Sequence, residues 1–276
     1  MDPEIALVQM VSSMDVDRNL VTVDRLVRDA ASRQVAAIFL PENFVALANP
    51  DPRAIGVREA TANGPVRSFL SSLAADVGCW LFAGTMPCSL RPEGSEVPGG
   101  RVRAASLVFD DRGREVARYD KMHMFDVDVA DNQKHYMESD TFEPGEELVC
   151  CDTPIGRVGL SVCYDIRFPE LYRRLFADGA LSMAVPSAFT RVTGAAHFEV
   201  LMRARAIENF AFTIAACQGG VHDSGRQTWG NSMVVGPWGD VLCRAGDGEA
   251  VVFARLDLEA QSQIRRDMPV DRQRRL

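Results

Sequence analysis

Short apolar runs alternate with amphipathic stretches from one end of this chain to the other, and that alternation admits few folds other than a layered α/β one. Ile5 to Met10 reads as a first strand. Val16 to Arg33 reads as a helix, because Leu20, Val23, Leu26, Val27 and Ala30 recur at helical spacing. Val35 to Leu40 predicts a second strand, Pro65 to Asp76 a second helix and Cys79 to Thr85 a third strand. Ala104 to Phe109 and Glu115 to Tyr119 flank the turn residues Asp110 to Gly113 as a hairpin. Val158 to Val162, Leu181 to Val185 and Phe212 to Cys217 are buried strands. A helix through Leu171 to Ala177 separates the first two, and a longer helical pattern from Ala195 to Asn209 separates the last two. Met233 to Val235 and Val241 to Cys243 flank Gly236 to Gly239 as a hairpin, and Val251 to Leu256 closes the sheet. From Asp126 to Gly145 no period holds, so a long loop is expected there. The order of elements suggests two similar halves facing each other.

A chain of 276 residues with 47% hydrophobic content fills one large α/β unit, and a single domain over 1–276 is expected. A formal charge of -8 repels phosphate backbones and anionic lipid, which disfavours nucleic acid and membrane surfaces as partners and is otherwise unspecific. Ile5 to Met10, flanked by Asp2 and Glu4, is too short for a signal peptide, and no apolar stretch approaches membrane-spanning length, so a cytoplasmic location is expected. Seven scattered cysteines, an odd number, do not form a disulfide framework. With no CxxC pair, and four histidines (His123, His135, His197, His222) that make no HxH or HExxH pair, no metal site is expected.

The chemistry concentrates at strand ends. Cys163 follows the run Val158 to Val162 and precedes Pro169, which suits the first turn of a helix, with Glu170 favouring that end electrostatically. A thiol at such a corner is expected to be partly exposed, with its thiolate favoured by the helix N-terminus. Glu42 follows the second strand within Pro41 to Asn43, Lys121 follows the hairpin, and Glu138 lies in the long loop. Each has an ordinary reading as a packed thiol, a loop carboxylate or a solvated edge lysine, just as Glu199, Arg203, Arg205 and Glu208 read as a salt-bridged helix face. What distinguishes Glu42, Lys121 and Cys163 is that all three would project into one crevice beyond the ends of the strands.

The stretches FLPENF (39–44), YDKMHMFD (119–126) and GLSVCYDIRFPE (159–170) together resemble the nitrilase superfamily of carbon-nitrogen hydrolases, in order and spacing, from about Ile5 to Asp267. That resemblance implies a four-layer α-β-β-α sandwich and amide hydrolysis through a thioester on Cys163, without a cofactor. Glu42 would be the general base. Lys121 and the backbone N–H of Tyr164 would stabilise the oxyanion, and Glu138 would orient Lys121. The segments 185–209 and 230–241 are most similar to the deaminated glutathione amidases, with the omega-amidases next. Phe198, Asn231 and Gly236 stand where that pattern usually has tryptophan, histidine and aspartate.

The amidase resemblance implies hydrolysis of deaminated glutathione to 2-oxoglutarate and cysteinylglycine, ahead of 2-oxoglutaramate. Arg167 is the candidate for the acyl carboxylate, because Arg binds carboxylates bidentately, and Phe189 and Thr193 are candidates for the acyl chain. A homodimer or larger homo-oligomer is expected through the helix after Cys163 and the one from Ala195 to Asn209. Two rival classes remain: a Cys-His hydrolase using His123 or His197, and a catalytically idle binding or assembly protein on the same fold.

Overall fold

A computed structural model describes residues 2–131 and 133–275. Its strands are β1 (Glu4–Gln9), β2 (Ala37–Phe39), β3 (Trp80–Cys88), β4 (Arg103–Phe109), β5 (Glu115–Asp120), β6 (Asp126–Asp128), β7 (His135–Met137) and β8 (Cys150–Thr153). They continue as β9 (Gly156–Leu160), β10 (Ser182–Ala184), β11 (Phe212–Ala215), β12 (Gly219–Val221), β13 (Gln227–Trp229), β14 (Met233–Val235), β15 (Val241–Arg244) and β16 (Ala250–Arg255). The helices are α1 (Val16–Ala31), α2 (Pro52–Arg58), α3 (Pro65–Val77), α4 (Pro169–Ala177), α5 (Arg191–Thr193), α6 (Glu199–Asn209), α7 (Leu258–Asp267) and α8 (Val270–Gln273).

Two six-stranded sheets form the centre, ordered β16-β1-β2-β3-β4-β5 and β15-β14-β11-β10-β9-β8. In each, three parallel strands (β1, β2, β3 and β9, β10, β11) are extended by antiparallel ones, so the two facing halves expected from the sequence are present. Side-chain alternation assigns the layers. Ile5, Leu7, Ala37, Phe39 and Phe82 point into the core shared by the two sheets, where Phe39 stacks on Phe82 at 4.3 Å. Their neighbours Ala6, Val8, Ile38, Leu81 and Ala83 point the other way, against the buried faces of α1 and α3. On the far side α4 and α6 cover the second sheet through Leu171, Leu175, Met202 and Ala206. The result is the α-β-β-α sandwich.

Local chemistry sets the element ends. Asp15 caps α1 by accepting from Arg18 N–H, and α3 begins at Pro65 and stops at Gly78, whose φ of 64° is the left-handed stop that glycine takes without strain. Two expectations change. The stretch from Asp126 to Gly145 contains the short hairpin β6–β7 and a turn of 3₁₀ helix at Glu138–Asp140, because three-residue strands are too brief to print a period. β16 pairs with β1 in the first sheet although it follows β15 of the second, so the chain crosses between halves before its last helices. No helix among the described residues is long and apolar enough to cross a membrane.

Candidate active site

Three strand ends deliver the polar groups. Glu42 sits just beyond β2, in a turn where Asn43 takes φ 55° and its N–H donates to Thr85 Oγ1 at 2.8 Å. Gly84 is required opposite, since any Cβ there would collide with the Pro41 carbonyl. Gln218 donates from Nε2 to the Glu42 carbonyl at 3.0 Å while its Oε1 accepts from Ser12 N–H, tying this turn to the other sheet. Lys121 follows β5 and its backbone is held at both groups, N–H to Ala104 O at 3.0 Å and C=O from Gly145 N–H at 2.8 Å.

Cys163 has φ 47°, a left-handed conformation that costs a non-glycine residue about 1–3 kcal/mol and persists only where the surroundings hold it. Asp165, fully buried, does the holding. Its carboxylate accepts from Val162 N–H at 2.8 Å, Tyr119 Oη at 2.7 Å and His123 N–H at 3.0 Å, and contacts His123 Nδ1 at 2.7 Å. Arg205 secures the next turn by donating from Nε to Ile166 O at 2.8 Å, so this member of the helix face is an internal anchor.

The side chains converge. Lys121 Nζ lies 2.8 Å from Glu42 Oε1 and 2.8 Å from both oxygens of Glu138, with only 2% of the lysine exposed. Glu138 also accepts from Phe125 N–H at 2.6 Å. Burial alone would push the ammonium down, but Glu138, then Glu42, then Cys163 outweigh it and hold Lys121 charged well above its ordinary range. Burial raises Glu138, opposed by Lys121.

The Cys163 thiol is pushed up, first by burial and then by the Glu42 charge, with Lys121 and the Ala188 N–H pulling the other way. This reverses the expectation of a partly exposed, thiolate-favoured corner. Cys163 is buried, and the charges acting on it include the Glu42 carboxylate as well as Lys121. Its own N–H is engaged with Pro186 O at 2.9 Å and Asp165 N–H with Val162 O at 3.0 Å. Tyr164 N–H, between them, has no acceptor among the described residues.

These groups open into a cavity of about 270 Å³ lined by Glu42, Lys121, Glu138, Cys163 and Tyr164 and walled by Phe125, Tyr136, Phe189 and Thr193. Phe189 and Thr193 therefore line the cavity. Arg167 does not line the cavity: its guanidinium lies 5.6 Å from the Tyr164 and Phe189 rings, which do, and Nη2 is 3.3 Å from His197 Nδ1. No ion pair joins Arg167 to Glu170 among the described residues.

His123 is bound to Asp165 and stacked on Phe168 at 3.7 Å, and His197 is exposed beside Arg167, so neither imidazole faces the thiol. Asn231 and Gly236 are also outside the cavity, whereas Phe198 packs on Phe189 at 5.1 Å. All seven cysteines are unpaired, and no cluster of three metal-ligating side chains occurs among the described residues.

Sequence reasoning missed Gln218, Asp165 and the cavity-lining Arg226, each a single polar residue with no periodic context. The position of Asp165, two residues past Cys163 and able to cap its own turn, was the one available signal.

The pattern of the carbon-nitrogen hydrolase family matches residues 4–266. A deaminated glutathione amidase of Yersinia enterocolitica is 40% identical over 269 residues, 96% of this chain and 91% of that protein. Among solved structures, the Saccharomyces cerevisiae Nit3 protein, described as a member of branch 10 of the nitrilase superfamily, superposes with a TM-score of 0.85 at 30% identity, covering 100% of this chain and 97% of that one. The Caenorhabditis elegans NitFhit protein superposes with a TM-score of 0.87 at 35% identity; 99% of this chain is covered but only 65% of that longer one. With sandwich, strand-end cluster and near end-to-end similarity all in agreement, the chain belongs to the carbon-nitrogen hydrolase family.

Proposed function

We propose that the protein is an amidase working through a Cys163 thioester within one domain over 1–276, and that deaminated glutathione is its substrate. The observation that carries the mechanism is the lysine bridged between two glutamates beside a buried thiol. Glu42 takes the thiol proton as Sγ attacks the amide carbonyl carbon. The oxyanion is held by Lys121 Nζ and the free Tyr164 N–H. Glu42 then passes the proton to the amide nitrogen, the C–N bond breaks and the amine leaves. Water gives a proton to Glu42 as its oxygen attacks the thioester. The C–S bond breaks, the acid departs and the proton returns to sulfur. Glu138 keeps Lys121 aimed and charged. A neutral resting thiol suits this scheme, because base and nucleophile line the same cavity and the proton passes to the carboxylate as sulfur attacks.

The substrate reading rests on the similar amidases, such as the Yersinia enterocolitica protein. Thr193 and Phe189 would contact the acyl chain. Arg167, held only at 3.3 Å from an imidazole, would turn past the Tyr164 and Phe189 rings to its carboxylate. A substrate panel tests the proposal: deaminated glutathione is hydrolysed fastest, 2-oxoglutaramate more slowly, and nitriles not at all. Faster turnover of 2-oxoglutaramate would reassign the chain as an omega-amidase. Arg167→Lys should lower affinity for both oxo acids by losing the fork geometry, and an unchanged preference would return Arg167 to a structural role.

A further inference from the structure

Only two cations line the cavity among the described residues, Lys121 and Arg226. Lys121 is already paired with Glu42 and Glu138, so Arg226 is the cation, without a carboxylate partner among the described residues, that an anionic substrate meets in the cavity. Arg226 stands at the end of the turn before β13. Its Nη2 reaches Ala188 O at a long 3.4 Å, its Nε is buried with no partner, and no acidic side chain pairs with it among the described residues. The guanidinium lies 5.5 Å from the Tyr136 ring, which is itself fixed by a 2.8 Å bond from its hydroxyl to Asp131. An arginine steadied on an aromatic plane, with most of its donors free, is arranged to take a carboxylate.

Its place relative to the chemistry selects which carboxylate. Ala188 lines the cavity together with Cys163 and presents its C=O to Arg226, so the guanidinium opens onto the same cavity as the sulfur. The β12–β13 hairpin that carries it directly follows Gln218, which holds the Glu42 carbonyl, and is pinned through His222 Nδ1 at 2.8 Å from Ser12 O. On the proposed mechanism Glu42 protonates the leaving nitrogen, which would place the departing amine on the side of the Glu42 turn that Gln218 and this hairpin hold. Two extended residues span about 7 Å, enough to carry a terminal carboxylate from the scissile nitrogen to Arg226.

We infer that Arg226 binds the terminal carboxylate of a peptidic leaving group about two residues long, making the site selective for amides of carboxyl-ended peptides over primary amides. This deepens the proposed function and rests on it for the acyl half of the substrate.

Arg226→Gln, which removes the charge and keeps a polar side chain, should lower kcat/KM for deaminated glutathione about 30-fold, the worth of a charged hydrogen-bonded pair. The loss should fall in KM. For 2-oxoglutaramate, which releases ammonia, the fall should be under threefold. Equal losses on both substrates, or no loss on either, would overturn the inference. Calorimetric titration of the Cys163→Ala protein with cysteinylglycine and with cysteinylglycinamide decides it independently of turnover. The acid should bind at least tenfold tighter, and that difference should vanish when Arg226→Gln is added. Equal binding of acid and amide would contradict the role of Arg226. Failure of the wild type to hydrolyse deaminated glutathione, with the titration difference intact, would remove only the proposed acyl group.

Discussion

Cys163 is buried beside a carboxylate, the opposite of the open, electropositive setting that makes a thiol acidic. On the proposed mechanism this is an advantage, since the proton stays on sulfur until substrate excludes water and Glu42 takes it. The two effects of Glu42 can be separated. Glu42→Gln removes a base but also a negative charge that raises the thiol. Turnover should therefore fall by orders of magnitude, while the pH profile of Cys163 alkylation by iodoacetamide moves to lower pH. A profile that stays in place, or moves up, would contradict the charge assignment. Glu42, Lys121 and Cys163 could be singled out in the sequence because each follows a strand and stands in a stretch that resembles the carbon-nitrogen hydrolases. Their electrostatics were not legible there, because burial and the Glu42–Lys121–Glu138 contacts join residues 42, 121 and 138, which come together only in the fold.

Elements with strong periodicity were readable, and those held by polar contacts were not. α1 and α3 carry the repeating apolar face that packs on β1 and β3. α7 was invisible because it buries little apolar surface and docks through donors instead. Gln261 Nε2 donates to Leu181 O at 2.6 Å and Phe210 O at 2.9 Å, and Arg265 donates to Phe210 O at 2.9 Å and Ala180 O at 2.8 Å. Those carbonyls border β10 and β11, so α7 clamps the second sheet after β16 has joined the first. Gln261→Leu should cost about 1–2 kcal/mol by removing two buried hydrogen bonds from carbonyls that keep Phe212 N–H and Arg265 as their other donors, seen as a lower urea midpoint at unchanged slope. A variant as stable as wild type would mean that water satisfies these groups.

For the whole molecule, the two-sheet arrangement is what lets residues from both halves share one cavity: Glu42, Lys121 and Glu138 from the first half and the segment after it, Cys163 and Thr193 from the second. The proposed homo-oligomer would use α4 and α6, and α6 leaves Val200 67% and Ile207 47% exposed, with Trp238 65% exposed beyond Phe210. Sedimentation should give a dimer or larger species that Val200→Asp with Ile207→Asp shifts toward monomer, and a wild-type monomer at micromolar concentration would refute it. The central claim is the covalent step at Cys163. Acid quench of the enzyme during turnover of deaminated glutathione, followed by peptide mass spectrometry, should find the 2-oxoglutaryl group on the peptide containing Cys163, and nowhere in Cys163→Ala. Turnover with no such adduct, or an adduct on another cysteine, would contradict the account.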